Sequence, residues 1–296
     1  MSVILSFPEY QAQARHLAEA LALPFHIVDI HHFPDSESRV TLPDIPACKH
    51  AIIYCGLEHP NNKLVELLLT VKTLRKNNCN RTSLVAPYMC YMRQDIAFHK
   101  GEAISQEIIG KFLAELFDDI VTVDAHLHRT ASLQEVFPGT NCAHISAARL
   151  FSHLLQQKFT DAVLLGPDEE SEQWVKIIAT DCELDYTVAK KVRHSDKHVS
   201  IILPETGVDF NNRHIILIDD VVSSGTTLIN IAKQLHAKNV AQLDALVTHA
   251  LFDKNTHNHL KQAGINNIWS SDTIPHSTNK VSIVALLAEQ IKSWIS

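Results

Sequence analysis

The chain has no long uninterrupted hydrophobic run; its apolar segments are too short and too broken to build a transmembrane helix. It opens MSVILSFPEYQ, without the basic n-region of a signal peptide and with Pro and Glu arriving too early for one. Its six cysteines (Cys48, Cys55, Cys79, Cys90, Cys142, Cys182) include no CxxC pair, which argues against a zinc knuckle or metal cluster and for reduced, structural thiols. Basic excess is missing too. The formal net charge is -7, whereas gripping a nucleic-acid backbone demands basic patches. Low-complexity tracts and letter-by-letter repeats are also absent. These absences predict a soluble, cytoplasmic protein that binds neither membrane nor nucleic acid.

Apolar residues are plentiful, at 46%, enough for real cores and too many for a disordered chain. Histidine is abundant at 19 residues, so net charge climbs steeply as pH falls through about 6.5. Short apolar runs alternate with helix-like segments. VILSF (3–7) precedes EYQAQARHLAEAL, and HAIIYC (50–55) precedes NNKLVELLLTVKTLRKN. SLVAPY (83–88), DIVTVDAH (119–126), AVLLGPD (162–168), HIILIDD (214–220) and QLDALVTHAL (242–251) are further strand candidates. After HIILIDD, Leu228, Ile231, Ala232 and Leu235 recur at helical spacing. Apolar, non-alternating strands in this rhythm predict an α/β chain of two similar doubly wound domains with parallel sheets, residues 1–145 and 146–296. No linker marks the division, which falls near 143–147. In such folds the working residues lie just past the carboxyl ends of the strands, here VDAHLH, GPDEE and DDVVSSGTT.

IILIDDVVSSGTT (215–227) joins a strand to a helix. Backbone N–H groups and hydroxyls of Ser223, Ser224, Gly225, Thr226 and Thr227 suit a phosphate at the helix N-terminus, although the Gly-Lys pair of a Walker A loop is missing. Carboxylates repel phosphate, so Asp219 and Asp220 face something neutral or cationic beside it: sugar hydroxyls or a metal. A sugar phosphate satisfies both halves of the stretch; an ordinary helix N-cap is the bland alternative. In DAHLH (124–128), Asp124, His126 and His128 point to one side of an extended segment, a plausible ligand set for a zinc hydrolase. PYMCYMRQD (87–95), FPDSE (33–37) and AKKVRHSD (189–196) read, from composition alone, as a polar loop, a polar turn and an exposed basic hairpin.

The SSGTT loop and its acidic pair resemble the phosphoribosyl diphosphate motif of the type I phosphoribosyltransferases. PYMCYMRQD resembles the PYxxYxRQD signature of the ribose-phosphate diphosphokinases within that fold family. FPDSE matches that family's F-x-D-x-E element, IVTVDAH its VDLH element, GPDEES its SPDxGG, and AKKVR the K-x-R of its archaeal-type members. The resemblance runs from about residue 3 to 290, in the family's order. It implies transfer of the diphosphoryl group of ATP to ribose 5-phosphate, giving 5-phosphoribosyl 1-diphosphate and AMP for nucleotide biosynthesis. It implies ATP contacts from Arg93 and Gln94, with Phe33, Asp35 and Glu37 reaching a neighbouring subunit's nucleotide. The protein would then be a homo-oligomer, at least a dimer. It further implies Mg2+ held with help from His126 and Asp168, and ribose 5-phosphate held by Asp219, Asp220 and residues 223–227. Lys191 and Arg193 would be the catalytic residues, closing over the reacting phosphates. Alternatives from other classes are a phosphoribosyltransferase and a non-catalytic regulatory relative.

The chain departs from the family pattern in two loops. In GPDEES, Glu170 and Ser171 replace two glycines, and Trp174 stands where arginine is usual; Glu169 and Glu170 read as a solvated acidic turn or as added metal ligands. In SSGTT, Thr226 replaces a glycine.

Overall fold

Segments such as HAIIY (50–54), DIVTV (119–123) and AVLLG (162–166) are buried along their whole length, so both faces of their strands must be covered, as helices flanking a parallel sheet do. A computed structural model describes residues 1–45, 48–127, 129–130, 132–156, 158–159, 161–193, 199–204 and 207–295; over 191–200 it describes the backbone of the strand residues only. Two units emerge, one of Met1–Ile145 together with the segment from Ile283 onward, the other Ser146–Ser282.

The first unit contains β1 (Ser2–Ser6), β2 (Phe25–Ile27), β3 (Asp29–His32), β4 (Ser38–Thr41), β5 (His50–Tyr54), β6 (Arg81–Val85), β7 (Asp119–Val123) and β8 (Asn141–Ile145). Its helices are α1 (Gln11–Leu21), α2 (Pro60–Lys76), α3 (Ser105–Leu116) and the short α4 (Leu133–Val136). The parallel sheet runs β2-β1-β5-β6-β7-β8, while β3 and β4 form a separate antiparallel hairpin.

The second unit contains α5 (Ala148–Gln156), β9 (Ala162–Gly166), α6 (Glu172–Cys182), β10 (Asp185–Val188), β11 (Lys190–Arg193), β12 (Val199–Ile202), β13 (His214–Val222), α7 (Thr226–His236), β14 (Gln242–Ala250), α8 (Lys254–Gln262), β15 (Asn267–Ser271) and β16 (Asn279–Val281). Its sheet, β10-β9-β13-β14-β15-β16, is again parallel, and β11 and β12 pair apart from it as an antiparallel hairpin. The two sheets have the same topology. Each order turns back once, between β1 and β5 and between β9 and β13, the doubly wound arrangement expected from the strand pattern.

The last helix, α9 (Val284–Ile295), packs with the first unit, although the sequence division assigns it to the second. Its buried face of Leu287, Ala288, Ile291 and Trp294 turns toward the first unit, where it packs with α1, and Arg81 donates to the Trp294 carbonyl (3.0 Å). The amino ends of both sheets are tied by buried carboxylates. Asp119 accepts from Arg81 (2.7 and 2.8 Å), Ser83 (2.6 Å) and Asn141 (2.9 Å); Asp244 accepts from Gln242 (2.8 Å) and Asn267 (2.8 and 2.9 Å) and pairs with His214 (2.8 Å). Burial alone raises the Asp119 pKa, but the hydrogen bonds from Arg81, Ser83 and Asn141 outweigh it and hold the carboxyl below its usual range. Among the described residues, no helix is long and apolar enough to cross a membrane.

Candidate active site

The second unit's strand order reverses between β9 and β13, and Asp168, Asp219 and Asp220 flank that point. Crevices at such reversals are where open α/β sheets bind ligands. The acidic pair lies within β13 rather than beyond it, because that strand continues to Val222 and Asp219 pairs with Val247 of β14. The two carboxyl groups, adjacent in sequence, interact through a side-chain hydrogen bond. Asp220 is buried and Asp219 half-buried. Burial drives the Asp219 pKa well above its usual range, with the Asp220 charge and then the Asp168 charge adding to the effect.

Asp168 opens a short 3-10 turn, Glu169–Ser171, and its carboxylate accepts from the N–H groups of Glu170 (3.2 Å) and Ser171 (3.3 Å). The Ser171 hydroxyl turns inward and donates to the Asp168 carbonyl (2.6 Å). A Cβ placed on Gly166 would lie 2.2 Å from that hydroxyl oxygen and 2.9 Å from Val188 Cγ1. The departure at GPDEES is therefore an exchange. Where the family pattern has serine first and glycine last, this chain has Gly166 first and Ser171 last, and the two hydroxymethyl groups compete for one space. Glu169 is exposed and Glu170 half-buried, and Trp174 packs in the core.

Gly225 caps α7 in a left-handed conformation (φ 69°), and the Thr226 N–H at the helix start donates to the Ser224 hydroxyl (3.5 Å). A Cβ there would crowd Thr256 and Leu260 at 3.1 Å, and the left-handed backbone favours glycine whatever the space. Ser223, Ser224 and Thr226 are exposed, Thr227 is half-buried, and the Ser224 and Thr226 hydroxyls lie 3.0 Å apart. Thr226 occupies the first helical position, where its side chain faces solvent without displacing the turn. The backbone N–H groups of this first turn give the loop the local form of an anion cradle.

In the first unit, Phe33, Asp35 and Glu37 form the exposed tip of the β3–β4 hairpin. Phe33 N–H donates to the Glu37 carbonyl (2.8 Å), and Glu37 N–H donates to Asp35 (3.1 Å). The hairpin is anchored on α2, where buried Glu66 contacts His32 (2.7 Å) and accepts from Ser38 (2.7 Å). Arg93 is exposed in the loop after β6. Gln94 beside it is clasped: its amide donates to Glu102 (2.8 Å) and accepts from Ser105 (2.8 Å), the first residue of α3. Glu102 also accepts from the N–H groups of Phe98 (2.8 Å) and His99 (2.9 Å), and those N–H groups, His99 first, hold its pKa below the usual range. Sequence reasoning missed Glu102. It also missed Arg129, whose guanidinium pairs with Asp95 (2.8 Å).

His126, half-buried after β7, belongs to the first unit and Asp168 to the second. His128 lies outside the described residues. Among the described residues, no group of three His, Cys, Asp or Glu side chains is arranged to hold a metal. Lys191 and Arg193 lie on β11, opposite Ile201 and Val199 of β12; their side chains are outside the described residues.

The first unit fills its own reversal point. Between β1 and β5, Tyr10 reaches the Gly56 carbonyl (2.7 Å) and Glu58, while Lys63 donates to the Tyr10 hydroxyl and to the carbonyls of Gly56 (3.0 Å) and Glu58 (2.8 Å). This buried cluster occupies the position equivalent to the second unit's carboxylates.

Two family models match in tandem: the N-terminal domain of ribose phosphate pyrophosphokinase over residues 2–116 and the phosphoribosyl transferase domain over residues 141–286. A ribose-phosphate pyrophosphokinase of Methanopyrus kandleri is 29% identical over 293 residues, spanning 98% of this chain and 99% of the relative. Ribose-phosphate pyrophosphokinase 2 of Archaeoglobus fulgidus is 29% identical over 290 residues, spanning 97% and 99%. The crystal structure of phosphoribosylpyrophosphate synthetase from Mycobacterium smegmatis has the same fold, with a TM-score of 0.85 at 20% identity over 99% of this chain and 98% of that one.

Proposed function

The chain belongs to the ribose-phosphate pyrophosphokinase family, and from that premise we propose that it transfers the diphosphoryl group of ATP to the 1-hydroxyl of ribose 5-phosphate. The products are 5-phosphoribosyl 1-diphosphate, a precursor in nucleotide biosynthesis, and AMP. The observation that carries this reading is the tandem match, with the nucleotide-loop domain preceding the phosphoribosyl domain in one chain. A phosphoribosyltransferase needs only the second.

The 1-hydroxyl oxygen bonds to the β-phosphorus and gives up its proton to solvent, the bond from that phosphorus to the oxygen bridging to the α-phosphorus breaks, and AMP departs with that oxygen. Alignment and charge neutralisation are the protein's main tasks in such a transfer. In this reading residues 223–227 hold the 5-phosphate at the start of α7. Asp219 and Asp220 accept from the ribose hydroxyls. Arg93 and Gln94 seat the nucleotide, with Gln94 pre-set by Glu102 and Ser105. Phe33, Asp35 and Glu37 serve a neighbouring subunit's nucleotide, which requires at least a dimer; their exposure at a hairpin tip supports this. Lys191 and Arg193 stabilise charge that grows on the phosphates.

His126 and Asp168 would hold magnesium with the triphosphate. Carboxylate-rich strand ends fit a hard cation, and few protein ligands suffice because magnesium binds largely through phosphates and water. When bound it supplies neutralisation of the triphosphate oxygens. Six unbridged cysteines suit the reducing cytoplasm in which we place this work.

Phosphorus NMR of the protein with ATP, magnesium and ribose 5-phosphate tests the reading. AMP and a sugar diphosphate resonance are expected, and Lys191→Ala is expected to lower turnover about 10²–10³-fold with little change in KM. Bound substrates without products would refute catalysis and point to a regulatory relative.

A further inference from the structure

The strands β5 and β6 are paired with His50 opposite Arg81, and a cysteine precedes each of these residues by two positions. A two-residue step returns to the same side of a strand, so the register carries Cys48 to a place beside Cys79. The backbones remain joined there, since the Lys49 carbonyl accepts from both Asn80 and Arg81 N–H (3.0 Å each). Neighbouring strands lie about 4.8 Å apart, within the roughly 4.4–6.8 Å between Cα atoms that a disulfide spans. The two sulfurs are 3.6 Å apart and both residues are buried. Cys55, Cys142 and Cys182 instead turn their thiols to the carbonyls of Gly56, Thr140 and Ser152.

We propose that Cys48 and Cys79 are a modification site: on exchange with a low-molecular-weight disulfide they form a crosslink that ties β5 to β6 at their amino ends. The chemistry has a natural order. Cys79 donates to the Arg81 carbonyl (3.3 Å), which leaves Cys48 as the donor between the sulfurs. That hydrogen bond from Cys48 lowers the Cys79 pKa, making Cys79 the attacking thiolate. It bonds to one sulfur of the small disulfide, whose S–S bond breaks, and the first small thiolate leaves and takes a proton. Cys48 then loses its proton to solvent and attacks the Cys79 sulfur, expelling the second small thiolate. Two protein thiols are oxidised and one small disulfide is reduced to two thiols.

The crosslink closes a loop containing β5 and α2, at the end of the sheet opposite the nucleotide loops. It constrains the unfolded chain without touching the groups assigned to substrate.

The test is to incubate the native full-length protein with excess glutathione disulfide, alkylate free thiols, digest, and map masses. A Cys48–Cys79 peptide pair two hydrogens lighter than its separate halves is expected. The thermal midpoint should rise by about 5–10 °C and return after dithiothreitol. In Cys48→Ser the second step has no thiol, so Cys79 should instead retain glutathione, a readout that does not depend on the crosslink. Recovery of both cysteines alkylated in the wild type, with an unmoved midpoint, would overturn the proposal. A crosslink seen only in denaturant would overturn it as well.

Discussion

Replacing Gly166 with serine restores one half of the family pattern and should damage the protein, because the other half is absent. The new Cβ would lie 2.2 Å from Ser171 Oγ, far inside contact distance, and 2.9 Å from Val188 Cγ1. Ser171 can yield only by abandoning its 2.6 Å bond to the Asp168 carbonyl. Overpacking of this kind costs about 1–3 kcal/mol, and losing a buried hydrogen bond adds about 0.5–1.5 kcal/mol. Gly166→Ser should therefore destabilise by about 2–4 kcal/mol. Ser171→Gly alone should cost about 1–2 kcal/mol through the lost bond and added backbone freedom. The double variant exchanges the two residues and vacates the contested space, so it should recover most of the Gly166→Ser loss. Urea denaturation of all four proteins gives the coupling energy directly, with about 3 kcal/mol in favour of the pair expected. Additive costs within about 0.5 kcal/mol, or a Gly166→Ser protein as stable as the wild type, would refute the shared-space argument.

Gly225→Ala forces a left-handed residue to carry a Cβ pressed on Thr256 and Leu260, and should raise KM for ribose 5-phosphate about tenfold; an unchanged KM counts against the phosphate cradle. Glu102→Ala releases Gln94 and two backbone N–H groups, and should raise KM for ATP about tenfold while sparing that for ribose 5-phosphate; equal effects on both substrates would deny it a specific role in the nucleotide loop. Burial first, and the Arg81 charge second, lower the His50 pKa. Its native pKa thus lies below the unfolded value of about 6.5, so this contribution to stability is full above that value and is lost as pH falls toward the native one. The urea midpoint should decline between pH 7 and 5, and less steeply in His50→Asn; parallel slopes would remove His50 from the account.

The central strands were legible because burial on both faces leaves an unbroken apolar run, as in HAIIY and AVLLG. The edge and hairpin strands were not. Phe25–Ile27, Asp29–His32 and Ser38–Thr41 mix exposed and half-buried residues and carry no such run. The apolar pattern of HIILIDD ends at its carboxylates, but Val221 and Val222 still pair with β14, and local polarity does not report that pairing. The second unit's ligand loop was visible because its parts are contiguous in sequence. The Tyr10, Glu58 and Lys63 cluster joins residues far apart in the chain, and a distance of that kind leaves no local pattern. The Gly166 and Ser171 exchange shows the same limit: each substitution is plain in the sequence, but their compensation appears only when the two side chains are placed in one space.

The return of α9 to the first unit inverts the order in which the molecule can be finished. As the chain leaves the ribosome, every strand of the first sheet emerges before any of the second, yet the first unit still lacks the helix that packs with α1 and caps Arg81. That helix arrives only after Ser146–Ser282 has been synthesised. The unit begun first is completed last, and a nascent chain halted anywhere within the second unit carries an open apolar seat on the first. Premature termination near the carboxyl end should therefore be sensed at the opposite end of the sequence.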